Sequence, residues 1–184
     1  DELNAEDAEI CARTIRVYMG LGVEKETVSG FFDAATDIEP NHLMAHLMMI
    51  NYLTPKWRGS IEEMYEFANR RYEEAGSSLL VVLILFAITE EWKYYDMMDE
   101  KEKVVAFFKN GESKSVVMDL YAGYTEEDEG KLLIPYAYNY FAFLLYMFNE
   151  KDMARQAINK INGKITVYPW AYIGIENNKE LLSL

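Results

Sequence analysis

Val28-Ser29-Gly30-Phe31-Phe32-Asp33-Ala34-Ala35-Thr36-Asp37-Ile38-Glu39-Pro40 is the stretch that decides how this chain folds. Val28, Phe32 and Ala35 are spaced by four and three residues, which places them on one face of a helix, and Pro40 follows as its stop. Ala68, Tyr72 and Ala75 repeat that spacing forty residues further on. Ala157 and Ile161 keep two of the three positions, and Lys164 breaks the set. Small residues at these places let one helix sit close against its partner, while the aromatic fills the hole between successive pairs. A helix pair of this kind cannot bury its face alone, so its neighbours must stack on it.

Between the first two copies lies Thr54-Pro55-Lys56-Trp57-Arg58-Gly59-Ser60, a clear interruption whose Pro55–Ser60 insertion lengthens the period. Ser60 followed by Glu63 is a capping box for the next helix. The repeated pattern resembles that of tetratricopeptide-like helical repeats, whose second helix carries small, aromatic, small and Pro positions. The turn, with Ile61-Glu62-Glu63-Met64 and Phe67-Ala68 after it, is similar to that of a bacterial family of unknown function, in which Pro-Lys/Arg-Trp-x-Gly-Ser joins two helices of such a repeat. The resemblance covers Val28–Ala75 and, more loosely, Phe141–Ile161. It implies an α-α superhelix that binds peptides or proteins on a concave face.

The rest of the chain reads as further short helices. Asn4 is placed to cap a first helix with Ala8, Cys11, Ala12, Ile15 and Met19 inward, and Gly20 and Gly22 end it. Asn41 is placed to cap a third over Leu43–Leu53, and a fourth buries Ile61, Met64, Tyr65, Ala68, Tyr72 and Ala75. Leu79–Tyr95 begins apolar all round, as a helix covered on every side does. Lys101–Phe108 and Ser115–Tyr124 flank an Asn110-Gly111 turn. Within Leu132–Asn149 the tyrosines partly alternate, yet length and Leu, Ala and Met content favour a helix with Pro135 in its first turn. Asp152–Ile161 is the last helix, stopped by Gly163, and Ile165–Ile173 reads as an extended return. The expected fold is all-α: stacked antiparallel helix pairs, about nine helices in one domain over 1–184. Within it, 1–76 holds the best-matching pairs, 77–125 the central helices, and 126–184 a C-terminal pair with an extended tail.

Hydrophobic residues make up 51% of the chain, which is the composition of a packed domain rather than a disordered one. The formal charge is −13, with the excess gathered in 61–130. Such a field repels phosphate backbones and argues against nucleic acid, while it attracts a basic protein; acidity also serves plain solubility. Cys11 is the single cysteine, so no disulfide forms within the chain; a reducing cytoplasm fits, as does a cysteine-poor periplasmic protein after leader removal. Leu79–Ile88 is about half the length a bilayer demands, and Leu132–Phe148 is interrupted by Pro135 and Asn139, so no membrane span is expected.

Candidate sites divide by chemistry. His42 and His46 share a helix face, but two imidazoles without further ligands do not make a zinc site, and neither a metal nor a cofactor is expected. Adjacent acids such as Glu62/Glu63, Glu73/Glu74 and Glu90/Glu91 diverge by about 100° on a helix and so do not form a glycosidase pair. The acidic run lacks the alternating spacing of a calcium loop, and no hydrolase elbow or phosphate-cradling loop occurs. Pro55, Trp57, Gly59 and Ser60 form a structural turn, with an exposed Trp57 hot spot as the alternative. Asn51, Glu90, Glu91, Asp96, Asp99, Glu126, Glu127, Asp128 and Glu129 are the candidate partner-contacting residues. The function expected is a non-catalytic module for a basic protein partner, such as an immunity protein or a secretion chaperone. The competing expectation is an enzyme or small-molecule binder with an aromatic pocket around Tyr136–Tyr146, and a third is a helical scaffold within a longer protein.

Overall fold

The computed structural model describes residues 7–75, 78–124, 134–176 and 178–181, and among them every regular element is helical. The helices are α1 (Ala8–Leu21), α2 (Lys25–Ile38), α3 (Leu43–Tyr52), α4 (Ile61–Ala75), α5 (Val81–Met97), α6 (Lys101–Asn110), α7 (Glu112–Gly123), α8 (Ile134–Met147), α9 (Lys151–Ile161) and a short α10 (Asn178–Leu181). Among the described residues, single turns of 3-10 helix occur at Ser78–Leu80 and Trp170–Ile173. The chain divides into two compact units, Asp1–Ala87 and Ile88–Leu184, with the division falling inside α5. No described helix is long and apolar enough to cross a membrane.

In the first unit α1 packs on α2 and α3, α2 on α3, and α3 on α4. Asn4 lies outside the described residues; the α1 cap is Asp7, whose carboxylate accepts from the N–H of Glu9 at 2.9 Å and of Ile10 at 3.4 Å. Gly22 ends α1 in the left-handed region at φ 68°, whereas Gly20 lies within the helix. Val28, Phe32 and Ala35 of α2 are buried together, as their spacing predicts. The α3 cap is His42 rather than Asn41, because the imidazole Nδ1 accepts from the Ala45 N–H at 3.2 Å. On α4 the buried face is Met64, Phe67 and Ala68, while Ile61, Tyr65, Tyr72 and Ala75 are half-buried. The aromatic that fills the junction is therefore Phe67, not Tyr72, which sits at the edge of that face.

Two contacts give the direction of α4 against α2. Lys25 and Glu63, both near helix starts, form an ion pair, and further along Phe32 meets Phe67 with ring centroids 5.4 Å apart. Both residue numbers rise together, so the two helices run the same way. The first unit thus contains two helix pairs, α1/α2 and α3/α4, whose second members lie side by side.

The turn between α3 and α4 is closed by its own backbone. The Thr54 carbonyl accepts from the N–H of Trp57 at 3.0 Å and of Gly59 at 3.3 Å, and the Arg58 guanidinium donates to the Gly22 carbonyl at 2.7 Å. A Cβ on Gly59 would stand 2.0 Å from the Leu53 carbonyl oxygen, so only glycine lets the chain double back so tightly. Trp57 is 37% exposed, with the Lys56 ammonium 5.3 Å from its ring, so close backbone approach rather than Trp burial makes this turn. Ser60 fulfils half of its capping box by accepting from the Glu63 N–H at 3.1 Å; the Glu63 carboxylate goes to Lys25 instead.

In the second unit α6 packs on α7, α7 on α8, and α8 on α9. Pro135 is accommodated in the first turn of α8, where its missing N–H has no helical acceptor to lose, and Ala137–Leu145 are all buried. This confirms the helical reading of a stretch whose tyrosines imitate a strand. α9 buries Ala154, Ala157, Ile158 and Ile161 and ends on left-handed Asn162, one residue before Gly163. The extended return expected over Ile165–Ile173 is instead a bend followed by the 3-10 turn, because Trp170 folds inward to complete burial.

Asn139 organises that return. Its Nδ2 donates to the carbonyls of Pro135 at 2.6 Å and Lys164 at 3.0 Å. Its Oδ1 accepts from the Thr166 N–H at 3.2 Å and from the Trp170 Nε1–H at 2.7 Å. Every hydrogen-bonding position of a fully buried amide is used.

Two substitutions check these devices by chemical denaturation. Gly59→Ala should cost more than about 2 kcal/mol, since backbone must move to admit the methyl group. Asn139→Leu should cost about 3 kcal/mol, because it leaves the Thr166 and Trp170 donors buried without an acceptor; a change under about 0.5 kcal/mol would show that neither group depends on the amide.

Candidate functional site

The polar positions of α2 that flank its buried face are Lys25, Ser29 and Asp33, spaced as one stripe along the helix. Those of α4 are Glu63, Glu66 and Arg70, with Arg71 turned further in. Because α2 and α4 run parallel, the two stripes face each other across a cleft of about 280 Å³. Its floor is apolar: Phe32, Met49, Leu53 and Phe67 are each no more than 5% exposed. The Lys25–Glu63 ion pair closes one end.

Arg71 is the most constrained charge in the cleft. Its guanidinium carbon lies 4.9 Å from the Phe32 ring centroid and 5.7 Å from that of Phe67, and an Nη reaches Glu74 at 3.3 Å. Its Nε is buried and has no hydrogen-bond partner among the described residues. Asp33, Glu66 and Arg70 are exposed on the walls. A mixed lining of this sort attracts polar groups to defined positions while the aromatic floor supplies contact area.

Beneath the floor stands His46, packed edge-on against Phe32 with centroids 5.2 Å apart and tilted against Phe67 at 6.3 Å. Its Nδ1 is 3.0 Å from the His42 carbonyl. Burial lowers its pKa from 6.5 to about 4, against the opposing effect of that hydrogen bond and with help from the Arg71 charge. His42 faces the other way, its Nε2 3.4 Å from a Glu9 carboxylate oxygen. The two imidazoles therefore serve helix capping and packing, and among the described residues no group of three or more His, Cys, Asp or Glu side chains is gathered to hold a metal.

The candidate partner-contacting residues are distributed along the chain. Asn51 belongs to the first unit, where it is half-buried and its carbonyl accepts from the Thr54 hydroxyl at 2.8 Å. Glu90, Glu91, Asp96 and Asp99 belong to the second unit. Glu90 accepts from the Tyr172 hydroxyl and Glu91 from that of Tyr95, so both face aromatic neighbours rather than open water alone. Asp96 pairs with Lys93 at 2.8 Å and Asp99 with Lys101 at 3.4 Å. Glu126, Glu127, Asp128 and Glu129 lie outside the described residues.

The Tyr136–Tyr146 segment is largely core. Tyr138 and Tyr140 are buried, and Phe143 packs against Trp92 and Trp170 at 5.9 and 5.7 Å between centroids. Burial, followed by the neighbouring Tyr136, pushes the Tyr140 phenol well above its ordinary pKa. Burial and then the Glu90 charge raise that of Tyr172 likewise. These phenols stay protonated across the accessible range and act as fixed hydrogen-bond donors.

Phe67 and Arg71 escaped the sequence reading. Both continue the Met64/Ala68 helical stripe, a signal present in the spacing but overshadowed by the repeat pattern. Compared with known protein families, curated proteins and solved structures, the chain matches none.

The His46 environment sets a pH dependence with a definite sign. The folded state keeps the imidazole neutral down to about pH 4, whereas the unfolded chain takes up a proton near pH 6.5. Stability contributed by neutral His46 is thus complete above pH 6.5 and is lost as pH falls toward 4. Unfolding free energies measured at several pH values should show His46→Leu losing less than the native chain between pH 7 and 4.5, by up to about 3 kcal/mol. Parallel curves would mean that His46 does not stay neutral inside.

Proposed function

We propose that this chain is a non-catalytic, tetratricopeptide-like protein-binding module that engages a basic protein. The observation that carries the reading is charge joined to architecture: a net charge of −13 on a chain whose described elements are packed helices, with Asp33, Glu66 and Glu73 among the carboxylates standing exposed. A field of that sign accelerates encounter with a positively charged surface and disfavours nucleic acid. Paired helices supply a rigid frame whose side chains are already ordered, which lowers the entropic cost of docking.

Two biological forms fit the same physics. An immunity protein would cover the active site of a basic toxin, and a secretion chaperone or adaptor would hold a basic client. A reducing cytoplasmic setting suits the lone Cys11, which is buried and unpaired. The Tyr136–Tyr146 segment, occupied by core packing, gives the competing enzyme reading less to stand on.

The test is capture from native lysate on the immobilised chain at about 50 mM and about 500 mM salt, where screening lengths differ about threefold. The expected result is a stoichiometric partner of high isoelectric point, retained at low salt and released at high salt. Capture of an acidic or neutral protein indifferent to salt would refute the electrostatic basis.

A further inference from the structure

We infer that the cleft between α2 and α4 is a binding site for a free α-amino acid with a large apolar side chain. The inference stands independently of the protein-partner reading, since it uses the geometry of one cleft and not the net charge of the chain. Lys25 pairs with Glu63, and Asp33 and Arg71 each lie eight residues beyond those anchors on parallel helices. Both side chains line the cleft, the carboxylate from α2 and the guanidinium from α4.

These opposite charges do not pair with each other. Among the described residues Asp33 makes no ion pair, and Arg71 makes its ion pair with Glu74 of its own helix. The guanidinium lies close to the Phe32 and Phe67 rings, and its Nε–H is buried with no acceptor among the described residues. The Arg71 side chain keeps 28% of its surface exposed, and that part of its planar fork suits a ligand carboxylate. Asp33 on the facing wall is then placed to accept from an ammonium group. A molecule that carries both charges on one carbon bridges Asp33 and Arg71 and leaves its side chain over Phe32, Phe67, Met49 and Leu53.

Size and net charge point the same way. At about 280 Å³ the cleft falls just under the range of about 300–1,000 Å³ that drug-sized ligands fill, as suits a smaller molecule. Its lining carries as many basic side chains as acidic ones (Lys25, Arg70, Arg71 against Asp33, Glu63, Glu66), unlike the strongly acidic chain around it. A net-neutral zwitterion matches that lining, whereas a plain anion would meet the acids and a plain cation the arginines.

Isothermal titration calorimetry and thermal melting of the full chain test the assignment with L-phenylalanine, L-leucine, glycine, phenylalaninamide and N-acetylphenylalanine. L-phenylalanine or L-leucine should bind saturably and raise the melting temperature. Phenylalaninamide, without the carboxylate, and N-acetylphenylalanine, without the ammonium, should each bind at least about tenfold more weakly. Asp33→Asn, an exposed change that leaves the fold intact, should weaken L-phenylalanine by a similar factor, as should Arg71→Gln. The site is overturned if neither apolar amino acid binds, if either blocked derivative or glycine binds as well as the parent, or if Asp33→Asn leaves the affinity unchanged. Should Arg71→Gln fail to fold, the derivative series and Asp33→Asn decide the matter alone.

Discussion

Phe32 and Phe67 meet edge to face across the junction of two helix pairs, with His46 filling the third side and Arg71 lying over both rings. The first unit depends on this contact. Neither α1/α2 nor α3/α4 can bury its apolar face by itself, and an aromatic cluster supplies large contact area in a geometry with little slack. Keeping the imidazole neutral lets it stand in an apolar site at modest cost, and the guanidinium brings a charge near that site only because its planar face is weakly hydrated. Together with the Lys25–Glu63 ion pair, this ring contact sets α2 and α4 running the same way, and their polar stripes line one cleft.

The second unit solves a different problem. α8 is apolar over nearly its whole circumference and has to be covered on several sides, which α7 and α9 do from the helical side. The remaining cover comes from an irregular segment whose backbone polar groups need partners. Asn139 supplies them from within the helix, and Trp170 fills the space beside Phe143. One buried amide thereby lets a non-helical strap lie over a helical core without orphaned donors.

Much of this was legible in the residues. Val28, Phe32 and Ala35 announced the α2 face, Pro135 and the Leu, Ala and Met content gave α8, and Gly111 marked its turn. What escaped depends on partners distant in sequence. Tyr72 completes the repeat spacing, whereas burial follows the Met64, Phe67 and Ala68 stripe that faces Phe32. Helix caps moved to Asp7 and His42 because a cap is chosen by local backbone direction, which composition does not fix. The strap at Ile165–Ile173 looked extended because its Pro, Val and Trp favour that state locally, while Asn139 and Trp burial decide it from a distance. The cleft was invisible because Lys25, Ser29 and Asp33 form a meaningful set only once α4 is known to lie alongside them.

The parallel placement of α2 and α4 is the claim from which cleft, aromatic cluster and stacking all follow, and zero-length carbodiimide cross-linking of the unmodified chain tests it most directly. Peptide mapping by mass spectrometry should recover a Lys25–Glu63 isopeptide bond as a major intramolecular product. Its complete absence, with Lys25 joined instead to acids remote from the start of α4, would contradict the account.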